Sequence, residues 1–494
     1  MGKAPVTRRT FLGQAALGTG LLLAPLLSAA ANGANPDQQE RIKQAIPTEP
    51  LIEPRKARRL LIFDLNVGYG GHGSIPTANQ AFTLMGQKTG AFETTISRDP
   101  NVFEPASLRR FDAVFFNNTV GNLFTDPALR QSLVEFIYRG GGLMGVHGTS
   151  VAFTRWPGAH EDWPEFGIML GARGANHYES DEHVFIKLDD PDHPVNQPFG
   201  GRDFDYRDEF FRVHEPYSRD RVRVLLSIDT DKTTLQGRPR GNCHRDDGDY
   251  ALAWVRQYGR GRIFYTTFAH NPYVFWDPQM LPFYLAATQF ALGDLPAPTT
   301  PSAKLTPAVR ARERFAWRLA LVPSASPDLT LFELADKAAE HSLLYIGGSN
   351  NQQVSRDIPK PLDDRLTADD MRKIRLKLDA AGVRLLALQV DPEPADPPDR
   401  KRIIEFATTM GCEAIISKTK GLALEGAPQV VTADAIADTR DTTPLAAKTP
   451  EPQPQPTIFT IEFGNEKRRT GKGWLQDVAF FNEATVSLAA RGKP

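Results

Sequence analysis

The chain has 494 residues, a net charge of −1 and only two cysteines, Cys243 and Cys412. That length exceeds a single hydrophobic core and predicts two or three domains. The mixed charge gives no footprint for nucleic acid or an anionic membrane, and two cysteines outside any Cys-x-x-Cys pair argue against a disulfide framework or a structural zinc knuckle.

Residues 1–34 read as a twin-arginine export signal. Arg8-Arg9 precedes a mild apolar run from Ala15 to Leu27, and small residues around Ser28–Ala34 resemble a cleavage region. The run is short and broken by Gly18, Gly20 and Pro25, so no permanent membrane span is expected. The sequence thus predicts a periplasmic or otherwise extracytoplasmic location.

A polar spacer to about Arg58 leads into a first domain over 59–293. Leu60–Leu65 is a buried strand ending in the glycine-rich loop Gly68–Ser74. A helix over Pro76–Lys88, strands at Phe92–Ser97 and Phe111–Asn118, and a helix opened by Asp126-Pro127 follow. Gly140–Gly142 stop that helix and begin a short apolar strand that ends in Gly145-Val146-His147-Gly148. Alternating strands and helices of this length predict an α/β fold with a doubly wound, mainly parallel sheet. Further strands are predicted at Val184–Leu188 and Val222–Ile228. A hairpin turns at Tyr258-Gly259-Arg260-Gly261, and a helix over Pro278–Leu292 closes the domain.

Residues 294–310, rich in Pro, Thr and Ala, read as a linker. The segment 311–420 then shows four β/α units, with capping boxes at Thr330-x-x-Glu333 and Thr367-x-x-Asp370. Four units are half the count of a closed eight-fold barrel, and an open sheet edge needs cover. Residues 440–456 form a Pro/Gln linker. The stretch 457–494 contains one clear strand, Ile458–Phe463, and no recognisable motif.

Nine of the ten histidines fall between His72 and His270. In an open α/β sheet, ligands bind outside the carboxyl ends of the strands, so His72 and His147 are predicted to share one crevice. The elbow at His147 occupies the position of a hydrolase nucleophile but holds no Ser or Cys, which argues against acyl-enzyme chemistry. Asp208-Glu209 is a carboxylate pair that either serves the site or pairs with Arg207 or Arg212. His193-Pro194 reads as a turn, and His341 suits a helix C-terminus. No cofactor is marked. A divalent metal is compatible with so many imidazoles, but no His-x-x-x-His pair identifies a site.

Several motifs in order resemble the trehalose-utilisation (ThuA-like) family. They are Phe111–Thr119, the Gly140–Gly148 elbow, Leu170-Gly171-Ala172 through His177, His193-Pro194, Asp208-Glu209, and Tyr258–Arg262 through His270. The resemblance implies a fold similar to flavodoxin and class I glutamine amidotransferases, without the cysteine of the latter. It implies a role in the catabolism of glycosides or 3-keto-glycosides, and places site positions on His72, His147, His177, Glu209 and His270. Phe315–Ser417, and Tyr345–Gln353 in particular, is similar to the start of xylose-isomerase-like sugar phosphate isomerase/epimerase barrels. This chain lacks the later strands that carry the metal carboxylates in such barrels.

The resulting expectation is an exported carbohydrate-active protein with acid/base chemistry at a His-lined crevice. His147, His72 and Glu209 are the catalytic candidates, and His177, His270, Asp208 and Asn118 the substrate-binding ones. A carbohydrate small molecule is the expected partner, with homo-oligomerisation left open and the half barrel assigned a structural role. The competing reading is a non-catalytic sugar-binding or assembly module.

Overall fold

A computed structural model describes residues 36–155, 161–235, 243–323, 329–417, 422, 424, 430–432, 456–463 and 474–490. The export signal and all of the Pro/Gln linker but Pro456 lie outside these residues. Strands β1 (Arg59–Phe63), β2 (Glu93–Ser97), β3 (Ala113–Asn117) and β4 (Gly142–Val146) are followed by β5 (Arg173–Asn176), β6 (Glu182–Leu188), β7 (Phe204–Asp208), β8 (Arg212–His214), β9 (Arg223–Ile228), β10 (Ala251–Tyr258) and β11 (Gly261–Thr266). Nine of them form one sheet in the order β2-β1-β3-β4-β11-β10-β9-β6-β7.

From β2 to β11 all neighbours are parallel. The inner strands β1, β3, β4 and β11 are mostly apolar because both faces are covered, whereas the edge strand β2 is polar and largely exposed. Leu60 and Ile62 enter the core on one face, with the helices Ile75–Thr89 and Met280–Leu292. Leu61 and Phe63 enter the core on the other, with the helix Pro127–Tyr138. Beyond β11 the sheet departs from the mainly parallel expectation. The predicted hairpin forms between β10 and β11, and β9, β6 and β7 extend the sheet in antiparallel pairs. The two remaining strands, β5 and β8, make a separate antiparallel ribbon.

Two segments predicted to be free spacers are packed instead. Residues Pro36–Ala45 form a helix, and Ile42 and Ile46, four apart on one face, are buried in the first core. Burying an Ile side chain contributes about 1.5–3 kcal/mol, enough to seat an otherwise polar helix. In the Pro/Thr-rich stretch after Gly293, Asp294 is fully buried and its carboxylate holds the Arg58 guanidinium. Ser302 then hydrogen-bonds along β9, its N–H donating to the Val222 carbonyl and its Oγ accepting from the Val224 N–H.

The second domain contains β12 (Trp317–Val322), β13 (Tyr345–Ser349), β14 (Arg384–Gln389), β15 (Ala414–Ile416), β16 (Val430–Thr432) and β17 (Thr457–Glu462). They form an all-parallel sheet in the order β15-β14-β13-β12-β17-β16, curled as a half barrel. Both predicted capping boxes are present. The open edge at β12 is covered by β17, so the C-terminal segment completes this domain. Phe459 is fully buried there, against Trp317 and Phe481. The helix Trp474–Ala490 packs on the helix Pro307–Arg314, where Arg314 donates to the Ala489 carbonyl.

Reciprocal ion pairs join the domains. Asp379 of the half barrel receives Arg221 and Arg256 of the first domain. Glu165 of the first domain receives Arg372, Arg375 and the Tyr258 hydroxyl. Cys243 and Cys412 are buried and carry no disulfide. Among the described residues no helix is long and apolar enough to cross a membrane.

Candidate active site at the strand ends

The strand order β2-β1-β3-β4-β11 places a topological switch point between β1 and β3, and loops from both sides of it meet at the carboxyl ends of the strands. β4 ends in a sharp elbow at His147, whose φ of +43° is a left-handed conformation that non-glycine residues rarely adopt. The turn is fixed by hydrogen bonds from the Tyr265 hydroxyl and Ser150 Oγ to the His147 carbonyl. Gly148 follows because the His72 ring lies against it: a Cβ there would come within 3.0 Å of His72 Cε1.

His147 is fully buried. Its Nδ1 lies 3.0 Å from the Thr267 carbonyl. A carbonyl only accepts, so Nδ1 carries the proton and Nε2 is left as the nitrogen facing the crevice. His72 arrives from the loop after β1, His270 from the turn after β11, His177 from the end of β5 and Glu209 from the end of β7. The rings of His72, His147 and His270 lie 4.8–5.4 Å apart, centroid to centroid. Glu209 Oε1 is 3.3 Å from His147 Nε2 and 3.2 Å from His270 Nδ1, and Oε2 is 3.1 Å from His177 Nδ1. Four of the predicted site residues, His72, His147, Glu209 and His270, bring ligand atoms within 4.8 Å of one another, a set able to hold a cation.

The electrostatics follow from this crowding. Burial, and then the neighbouring imidazoles, push the His72 ring down to about 3, so it is neutral. Burial alone would raise the Glu209 carboxyl. Contacts with His147 and His270 outweigh it and hold the group ionised, well below the ordinary carboxylate range. Burial lowers His270, but its contact with Glu209 more than compensates and leaves it above the usual imidazole value.

Asp208 and Asn118, predicted to touch substrate, are fully buried a layer behind the cluster. Asp208 accepts from the N–H groups of Ala269, His270 and Asn271 and from the Asn271 amide, at 2.9–3.2 Å. Asn118 donates to Ser74 Oγ and the Ala269 carbonyl, and accepts from the Gly148 N–H. Asn118 ties the loops bearing His72, His147 and His270 together, Asp208 ties the His270 turn to the end of β7 that carries Glu209, and neither side chain is exposed. His193 caps a short 3-10 helix, as its turn reading predicts.

A groove of about 400 Å³ leads outward from His177, between the β5/β8 ribbon and residues 151–155. Thr154, Arg155, Arg173, Asn176, Phe211 and His214 line it, and among the described residues no carboxylate does. The Phe211 ring packs on both His147 and His177, and its N–H donates to Thr267 Oγ1. Phe211, His214, Arg173 and Thr267 were missed by sequence reasoning. Their only signal was adjacency, to Glu209, to β8, to His177 and to His270. A cavity of similar size, about 420 Å³, lies at the opposite ends of the strands, and among the described residues no histidine lines it. A cavity of about 70 Å³ lies between the two domains, lined by Asp379 and its partners Arg221 and Arg256.

The model of the trehalose-utilisation (ThuA) family matches residues 59–291. This segment is a ThuA-like domain. A putative ThuA-like protein from Bacteroides uniformis aligns over 49% of this chain and 94% of its own, at 19% identity and a TM-score of 0.39. One from Parabacteroides merdae aligns over 49% and 93%, at 17% identity and 0.35. A cytoplasmic protein from Salmonella typhimurium aligns over 47% and 98%, at 14% identity and 0.32. No curated protein matches the sequence. The ThuA-like domain contains the whole cluster and the whole groove.

Proposed function

We propose that the chain is a carbohydrate-active enzyme that binds a glycoside or keto-sugar in the groove and carries out proton-transfer chemistry on it at the Glu209 cluster. The observation that carries this reading is the convergence of His72, His147, His177 and His270 on one carboxylate at the end of a groove. The groove volume lies within the ordinary range for small-molecule sites, about 300–1,000 Å³. The sugar class rests on the ThuA-like domain.

His177 is a quarter exposed and lines the groove, so it is the group that meets the substrate, with Glu209 orienting its ring. His147 and His72 are set deeper and act only on an atom placed inside the cluster. Phe211 offers an apolar face, and Arg155, Arg173 and Asn176 offer donors to sugar oxygens. Asp208 and Asn118 act as positioning residues.

The test is product analysis with glucosides and 3-keto-glucosides, on the full chain and on Glu209→Gln. The reading expects turnover of a keto-sugar or glycoside, lowered by about 10²–10⁴ in kcat/KM in the variant with its melting temperature kept. Binding without turnover would establish a sugar-binding module instead, and an unchanged Glu209→Gln would place the chemistry elsewhere. We also infer export from Arg8-Arg9. Replacing both by Lys should retain the precursor in the cytoplasm, and normal export of that variant would overturn the inference.

A further inference from the structure

We propose that His72, His147, His270 and Glu209 form a mononuclear centre for a divalent cation of the zinc class. The first argument is one of donors. His147 Nδ1 is committed to the Thr267 carbonyl, so in the neutral ring Nε2 presents a lone pair to a carboxylate oxygen 3.3 Å away. Two acceptors facing each other in a buried site repel unless something positive lies between them. A proton on Nε2 would answer for His147 alone.

The second argument is that the shortage is shared. Buried nitrogens of three rings, His72 Nδ1, His147 Nε2 and His270 Nδ1, lack any hydrogen-bond partner. The latter two approach Glu209 Oε1 closely but are not aligned for hydrogen bonding. Buried polar atoms in native proteins are almost always satisfied, so three orphans around one carboxylate call for a common explanation. One cation at their centre satisfies all of them.

The dimensions agree. Zinc-class ions bind imidazole nitrogen and carboxylate oxygen at about 2.0–2.2 Å, so tetrahedral ligands lie about 3.3 Å apart. Glu209 Oε1 is 3.3 Å and 3.2 Å from its two nearest imidazole nitrogens, and all four donors fall within 4.8 Å. Three nitrogens and one oxygen suit zinc, iron, cobalt or manganese better than calcium or magnesium, which take oxygen. The surroundings also fit. Metal-bound histidines commonly donate their other N–H to a backbone carbonyl, as His147 does to Thr267. The His270 turn is fixed by Asp208.

This places a Lewis acid beside His177 at the end of the groove, and so deepens the proposed function, although the metal argument rests on the cluster alone. The experiment uses the full chain. Metal content is measured on protein purified without chelator, then after chelation and reconstitution with zinc or cobalt. We expect one ion per chain, a rise in melting temperature on reloading, and a visible cobalt spectrum of a four- or five-coordinate site with nitrogen ligands. His72→Ala and His270→Ala should each weaken binding at least 10-fold, while His183→Ala, an exposed residue outside the cluster, should leave it unchanged.

Absence of stoichiometric binding of zinc, cobalt, iron or manganese overturns the proposal, as does an unchanged affinity in a folded His72→Ala/His270→Ala double variant. The wild-type cobalt spectrum decides the matter even where variants fail to fold. Metal-free protein that still turns over sugar would overturn the Lewis-acid role of the ion and spare the sugar reading. Metal-loaded protein inert to every sugar would do the reverse.

Discussion

Asp208 shows how much of a site is held by residues that never face it. One buried carboxylate gathers three consecutive N–H groups and a side-chain amide, and thereby fixes the turn that carries His270. Asp208→Asn replaces an acceptor-only group by one that presents its own donors to those N–H groups. Each buried donor left unpaired costs about 1–3 kcal/mol. The variant should therefore lose about 2 kcal/mol or more in chemical denaturation, and lose His270 from the cluster before the fold is lost. Unchanged stability would show that the turn is held by something else. At this scale the sequence was legible where a strand ends: His72 and His147 stand out because apolar runs stop at them. The register of Asp208 behind Glu209 was not legible. Two adjacent carboxylates on a strand point to opposite sides, and only the fold decides which side faces the crevice.

At the scale of elements, local signals were readable and docking was not. The Thr330 and Thr367 capping boxes, the β10/β11 hairpin and the buried parallel strands all follow from short-range pattern. The segments 36–58 and 294–310 read as spacers because their composition is polar and Pro-rich. Their order comes from a few anchors, Ile42, Ile46, Asp294 and Ser302, whose partners are remote in sequence. Glu413 at the start of β15 is another such anchor. Burial would raise its carboxyl, but Arg318 and Arg384 outweigh that and hold it down to about 2. A depressed carboxyl stabilises the fold above its ordinary value of 4.5 and ceases to do so as the pH falls toward 2. The gap in denaturant stability between wild type and Glu413→Gln should be widest above pH 4.5, at most about 3 kcal/mol, and close on acidification. A gap independent of pH would contradict this assignment.

At the scale of the molecule, ion pairs of Asp379, Glu165 and Glu313 join the ThuA-like domain and the half barrel. Asp379 is the centre of that joint, and the Arg256 side chain that meets it is only 4% exposed. Removing one partner of a buried pair costs about 3–5 kcal/mol, because the other charge is left stranded. Asp379→Ala should thus lower the melting temperature and separate unfolding into two calorimetric transitions, one per domain. A single transition at the wild-type temperature would mean that the interface is held elsewhere. The same joint bears on the structural role proposed for the half barrel. A chain cut at Leu295 loses Asp379, Arg372, Arg375 and Glu313 together; it strands Arg256 and Glu165 and leaves Arg223 only its pair with Asp190. It should lose solubility and stability more than it loses the residues of the site, the last of which is His270.

The most direct measurement is a crystal structure of the full chain soaked with a glucoside or 3-keto-glucoside. The ligand should lie in the groove, its ring against Phe211, with one oxygen directed past His177 into the cluster of His72, His147, His270 and Glu209. Ligand seated instead at the strand ends of the half barrel, with the groove empty, would contradict the account.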